Sequence, residues 1–214
     1  MLEYLEGRCL FEIISNDGPF SERIARYYFR ELIETLIYLH SKGITHRDIK
    51  LENIMFDRYF NLKIIDFGLS ISHEDAGKPK NIERGPVGTL SYAAPELFES
   101  KVIEGEKLDV FSSGVILFAI LSGEMPFKKA ELYDKYYRYI YVEDYLYEFW
   151  EQHGFGNGTN TFSLEAKNLI EMMIVRDQQT RLSLKEVLNH QWFKLPTASF
   201  EEAKEELSLR ALSH

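Results

Sequence analysis

The residues best equipped for chemistry lie close together in the chain: Asp48, Lys50, Asn53 and Asp66. Two carboxylates, a carboxamide and a cation at this spacing are parts for moving a phosphoryl group, where catalysis is mostly positioning and charge neutralisation. Asn53 and Asp66 offer oxygen ligands suited to a hard cation such as Mg2+, which keeps water and phosphate in its shell. Lys50 can neutralise a phosphate as a point charge. Asp48 can accept a proton from an attacking hydroxyl. Taken singly, each is an ordinary turn former or surface group. The combination at fixed spacing carries the reading.

A mostly helical frame must hold these residues. Ser21 is placed to cap a helix running to about Ser41, with Ala25, Tyr28, Phe29, Leu32, Leu36 and Leu39 at helical spacing and Lys42-Gly43 at its end. Before it, residues 1–7 read as a short apolar strand and Leu10 to Ser15 as a short helix, closed by the turn signal Asn16-Asp17-Gly18-Pro19. The segments Asn53 to Phe56 and Leu62 to Ile65 flank a polar tip and predict a hairpin. Residues 70–84 are polar and predict a loop long enough to be functional or mobile. Leu108 to Ser122 is apolar on nearly every side, the mark of a helix buried at the centre of a domain. Helices are also expected over residues 131–150, Ser163 to Arg176 and Ser183 to Asn189, with a loop at 154–158. The tail opens on a capping box, Ser199-Phe200-Glu201-Glu202, with Phe200, Ala203, Leu207 and Ala211 along one face. The fold class is therefore mainly α with a small β hairpin region, α+β overall.

Bulk composition narrows the function classes. The 45% hydrophobic and 28% charged content fits a globular domain. A net charge of -9 argues against a nucleic-acid partner, whose phosphates require a basic face. The single cysteine, Cys9, excludes an internal disulfide and a cysteine-rich zinc site, in keeping with a reducing, cytoplasmic setting. The apolar run from Val110 to Gly123 is shorter than the roughly 20 residues a bilayer span needs, so no membrane partner is expected. The first residues lack the pattern of a signal peptide.

Residues 46–53, His-Arg-Asp-Ile-Lys-Leu-Glu-Asn, and residues 66–68, Asp-Phe-Gly, resemble the catalytic-loop and metal-binding motifs of eukaryotic protein kinases. Ala94-Pro95-Glu96, Asp109 to Gly114, Arg181 and His190-Gln191-Trp192-Phe193 follow in the family's order. The resemblance covers about residues 1–194 and implies a kinase-like fold, its C-terminal lobe, with residues 195–214 as an amphipathic helical tail. It implies Asp48 as catalytic base and Lys50 as the group that steadies the transferred phosphate, with Asn53 and Asp66 as magnesium ligands. The nucleotide contacts it implies are Leu2, Glu3 and Leu5 at the hinge, Lys50, Glu52 and Asn53 on the loop, Met55 beneath adenine, and Asp66. It further implies a buried pair between Glu96 and Arg181, Asp109 as anchor of the catalytic-loop backbone, and His46 with Phe67 in one apolar stack. Lys50 and the pattern Gly88-Thr89-Leu90-Ser91-Tyr92 resemble the serine/threonine type, with Thr89 bonding near Asp48 and Lys50. The cofactors implied are ATP and Mg2+, and the partners are proteins bearing Ser or Thr. The stretch Leu121 to Phe127 is similar to calcium/calmodulin-dependent-type kinases.

The sequence departs from the family pattern in places. No G-x-G-x-x-G occurs in these 214 residues, and Met1-Leu2-Glu3-Tyr4 resembles a hinge between lobes. The chain is thus expected to be a large lobe without its small one, with little activity alone and an exposed inter-lobe surface that a partner could cover. The alternative is an inactive scaffold or substrate-docking module. Gly85 stands where an activation-loop threonine is usual, so Arg47 is expected to have no phosphate there to bind. Cys9 and Ala119 stand at positions that carry acidic substrate readers in other kinases, which leaves Glu52.

Overall fold

The computed structural model describes residues 7–72, 88–99, 103–141, 145–154 and 162–212. Helix α3 (Gly105–Ser122) forms the centre and is buried from Leu108 to Leu121. A helix apolar all round is stable only when surrounded. Helices α2 (Glu22–Ser41) and α6 (Leu164–Ile174) pack against it. Gly114 sets the α3–α6 approach: a Cβ there would stand 2.7 Å from Met173 Cβ and 2.8 Å from Ile174 Cγ2.

Helix α1 (Leu10–Asp17) precedes α2, whose first turn is capped by Ser21, accepting from the Ile24 amide at 3.4 Å. The expected stripe of α2 is buried at Ala25, Tyr28, Phe29, Leu32 and Leu36, with Leu39 partly buried against the core.

Two small antiparallel sheets border the site. Strand β1 (Ile44–Thr45) pairs with β4 (Ile71–Ser72) in the register Ile44↔Ser72 and Thr45↔Ile71. Strands β2 (Ile54–Phe56) and β3 (Leu62–Ile64) form the expected hairpin, with Ile54 opposite Ile64 and Phe56 opposite Leu62. Asp57 closes its tip by accepting the amides of Tyr59 at 2.8 Å and Asn61 at 3.0 Å. The β1–β4 pair corrects the reading of residues 70–84 as loop at Ile71 and Ser72. Strands of two residues show no alternation from which to recognise them.

The expected helix over 131–150 is two short ones, α4 (Lys135–Tyr141) and α5 (Leu146–Gln152). Asp134 fixes the start of α4 by accepting the amides of Tyr136 at 2.9 Å and Tyr137 at 3.1 Å. Helix α6 is capped by Ser163 and stops at Ile174, short of the expected Arg176. Beyond it, the carbonyls of Val175 and Arg176 turn to the Arg181 guanidinium, at 3.0 and 3.3 Å from Nη2. A capping box, Ser183 with Glu186, opens α7 (Leu184–Asn189).

Helix α8 (Phe200–Leu212) confirms the tail's helical pattern, opened by Ser199 and Glu202. Ala203 and Leu207 are buried, but Phe200 and Ala211 are exposed. The buried apolar stripe is thus shorter than expected, although Glu202 in the first turn of α8 still pairs with Arg23 of α2 at 3.0 Å. Arg210 reaches the α1–α2 turn, donating to the Gly18 carbonyl at 2.6 Å and the Pro19 carbonyl at 2.9 Å. No helix among the described residues is long and apolar enough to cross a membrane.

Candidate active site

The loop between β1 and β2 is held from below by Asp109 on α3. This carboxylate is wholly buried. Its Oδ2 accepts the His46 amide at 3.0 Å and His40 Nε2 at 2.8 Å, and its Oδ1 accepts the Arg47 amide at 2.9 Å. A carboxylate only accepts, so Nε2 of His40 carries the proton. Charge-assisted bonds of this kind are about twice as strong as neutral ones. They hold Arg47 at φ 67°, a conformation that disfavours any residue with a side chain. The resulting turn delivers Asp48 to the site side of the loop.

The Asp48 side chain is 7% exposed, and its carboxylate accepts from neighbours that the loop and the Gly88–Tyr92 segment provide, two on Oδ2 and one on Oδ1. Lys50 Nζ donates to Oδ2 at 2.7 Å, Asn53 Nδ2 to the same atom at 3.1 Å, and the Thr89 amide to Oδ1 at 3.2 Å. Lys50 Nζ also donates to Thr89 Oγ1 at 3.1 Å, the contact expected of Thr89. Gly88, at φ 88°, lets the segment approach this closely: a Cβ there would lie 2.7 Å from Asp48 Oδ1.

Asn53 and Asp66 are brought to the same edge. The Asn53 amide nitrogen donates to the Asp48 carbonyl at 2.9 Å, which leaves Oδ1 as the atom free to face a cation. The Ile65 amide donates to the Asn53 carbonyl at 2.9 Å and His46 Nε2 to the Ile65 carbonyl at 3.1 Å, so the residue before Asp66 is pinned to the loop. Asp66 itself turns outward at φ 60° and is exposed, its Oδ1 accepting the Gly68 amide at 3.1 Å. Among the described residues no group of three or more His, Cys, Asp or Glu could hold a metal unaided. One carboxylate and one amide oxygen instead fit Mg2+, which binds through one or two protein ligands and completes its shell with water and phosphate oxygens.

Other residues named from the sequence lie around this centre. The His46 and Phe67 rings meet edge-on at 4.9 Å between centroids. Arg47 Nε donates to the Leu69 carbonyl at 2.8 Å. Burial lowers the Arg47 guanidinium from its ordinary value, and the Asp109 carboxylate opposes that shift. Glu96 and Arg181 form a buried pair at 2.6 and 3.0 Å. Met55 is half-buried on β2 and bridges backbone to backbone with Cys9. Glu52 lies against the Tyr92 phenol, which burial and this carboxylate push far above the usual tyrosine range. Leu2, Glu3, Leu5 and Gly85 lie outside the described residues.

Sequence reasoning missed His40 and the structural need for Gly88. His40 sits inside an ordinary helical stripe, and no local signal marks it as the third partner of Asp109. Gly88 was visible only as part of a motif; its φ and its closeness to Asp48 required the fold.

A model of the protein kinase domain matches residues 1–193. The chain is 38% identical over 194 residues to CBL-interacting protein kinase 3 of Oryza sativa subsp. japonica, covering 91% of this chain and 41% of that protein. It is 39% identical over 212 residues to CBL-interacting serine/threonine-protein kinase 26 of Arabidopsis thaliana, covering 98% and 45%. It is 35% identical over 192 residues to the probable serine/threonine-protein kinase KIN1 homolog of Encephalitozoon cuniculi (strain GB-M1), covering 90% and 31%. The chain therefore spans less than half the length of these curated relatives.

Proposed function

The chain belongs to the protein kinase domain family, and from that premise we propose that it carries the phosphoryl-transfer centre of a serine/threonine kinase, moving the γ-phosphoryl group of ATP to a protein hydroxyl. The observation that carries this reading is the three-donor cradle on Asp48, in which Lys50, Asn53 and the Thr89 amide hold one carboxylate at the rim of the site.

The roles follow from the chemistry of each group. Asp48, held by its donors, orients the incoming Ser or Thr hydroxyl and takes its proton as the bond to phosphorus forms. Lys50 shares Asp48 and Thr89 in the resting site, and its three donors allow it to turn to the transferred phosphoryl group. Thr89 links the loop to the segment that would receive the substrate chain. Asn53 Oδ1 and Asp66 are the protein ligands for Mg2+, which when bound neutralises phosphate charge. Met55, with Leu2, Glu3 and Leu5, forms the adenine side, and Glu52 completes the set of nucleotide-side residues. Protein substrates are the partners implied. The likeness of Leu121 to Phe127 to calcium/calmodulin-dependent-type kinases supports that narrower placement. We place the lobe boundary near Lys194, with α8 as an appended helix, and the protein in the cytoplasm.

The test is phosphotransfer by the natural gene product, with Mg-ATP and matched peptides carrying Ser, Thr or Tyr. Incorporation into Ser and Thr but not Tyr is expected, falling roughly 10²- to 10⁴-fold in Asp48→Asn. Transfer that survives Asp48→Asn undiminished would remove Asp48 from the chemistry.

A further inference from the structure

A second concavity lies on the opposite side of the Asp109 anchor. It encloses about 460 Å³ between the end of α2, the start of α3 and the start of α7. Its floor is apolar, formed by Ile37, Val110 and Leu184, and its polar edge is formed by His40 and Glu106. The His40 side chain is 8% exposed. Its Nε2 is committed to Asp109, while its Nδ1 has no hydrogen-bond partner among the described residues and stands 4.0 Å from Glu106 Oε2. In the neutral imidazole with its proton on Nε2, Nδ1 is an acceptor. Two acceptors cannot bond each other, but they stand 4.0 Å apart, and one nitrogen carrying two hydrogens can reach both at about 2.9 Å.

We propose that this cavity binds a planar organic cation that donates N–H bonds, an aryl amidine or protonated aminoheterocycle, and that occupation is transmitted through His40 and Asp109 to the backbone of His46 and Arg47. The nitrogen edge bridges His40 Nδ1 and Glu106, and the ring lies on Ile37, Val110 and Leu184. Two lysines line the same cavity. Lys107 is spent on the Arg181 carbonyl, and Lys185 is an exposed rim residue whose charge is screened by water and salt. The coupling follows from geometry alone. The oxygen of Asp109 that accepts His40 also accepts the His46 amide, so a ligand that pulls on the imidazole changes the bond that shapes the loop. The inference goes beyond the kinase reading and does not need it.

The probe is benzamidine, titrated into 15N-labelled protein and followed by amide chemical shifts. Saturable shifts are expected at Glu106, Lys107 and Ser183 to Lys185, accompanied by shifts at His46 and Arg47. Glu106→Gln, at a half-exposed position, is expected to weaken binding at least fivefold. Ser41→Trp, which fills the mouth, is expected to abolish it. Absence of saturable shifts at α3 and α7, or unchanged affinity in both variants, overturns the site. Saturation at α3 and α7 with His46 and Arg47 unmoved overturns the coupling. Because no phosphotransfer is read, these outcomes are independent of whether Asp48 catalyses.

Discussion

Asp48 and Asp66 carry the same carboxylate, but the molecule treats them differently. Asp48 is nearly buried and takes bonds from Lys50, Asn53 and the Thr89 amide, contributed by two separate segments. Asp66 is exposed, and its bond among the described residues comes from Gly68, two positions away. Beneath Asp48 lies Asp109, wholly buried and shared by His40, His46 and Arg47. Beside Asp66, among the described residues, Ile65 bonds Asn53 and His46 through its backbone, and Phe67 packs on the His46 ring. One side of the site is fixed by tertiary packing before any ligand arrives. The other is a local turn whose geometry a cation and phosphates can complete.

Mutations can test this contrast, beginning with the frame that both sides share. Arg181→Ala strands Glu96 and the carbonyls of Lys107 and Val175 in the interior. It should cost about 3–5 kcal/mol of unfolding free energy in urea melts, the range for breaking a buried ion pair. Gly88→Ala is directed at the fixed side alone. Its positive φ and the 2.7 Å approach to Asp48 make any side chain strained, and the loss should be about 1–2 kcal/mol with phosphotransfer impaired as Asp48 is displaced. Asp66→Asn should leave the urea midpoint unchanged while removing the Mg2+ dependence of nucleotide binding, measured by calorimetry at several Mg2+ concentrations. Equal destabilisation by Gly88→Ala and Asp66→Asn would erase the distinction between the two sides.

A smaller effect lies away from the site. His153 is packed among Phe118, Phe149 and Tyr136, and burial lowers its imidazole from the ordinary value of 6.5. Below that value the unfolded chain takes up a proton that the folded chain resists. Stability should therefore fall as pH drops through 6.5 toward the depressed folded value, and the loss should be smaller in His153→Phe. Identical pH slopes in denaturant melts of the two proteins would show that His153 does not contribute.

The same contrast explains what the sequence made legible. The residues of the site were visible because their types and spacing announce chemistry, and the long helices because α2 and α3 carry unmistakable patterns of apolar residues. The hairpin was visible because a polar tip separates two apolar runs. The hidden features were those made by distant segments meeting. The β1–β4 pair joins residues far apart in the chain with two-residue strands. His40 is a helix residue until Asp109 on another helix turns toward it. The start of α4 at Lys135, rather than at 131, depends on a side chain, Asp134, turning back onto the amides that follow it. The tail's outer residues, Phe200 and Ala211, follow the apolar periodicity, yet both are exposed.

Amide hydrogen exchange with and without Mg-ATP tests the contrast most directly. The amides of His46 and Arg47, bonded to Asp109, and that of Thr89, bonded to Asp48, should be protected in the free protein and change little on adding nucleotide. The amides of Phe67 to Leu69 should exchange quickly in the free protein and slow when Mg-ATP is present. If His46 and Arg47 exchange as fast as Phe67 to Leu69 without ligand, or if Mg-ATP protects neither group, then Asp48 does not stand in a preformed half-site awaiting a metal-bound nucleotide on the side of Asp66.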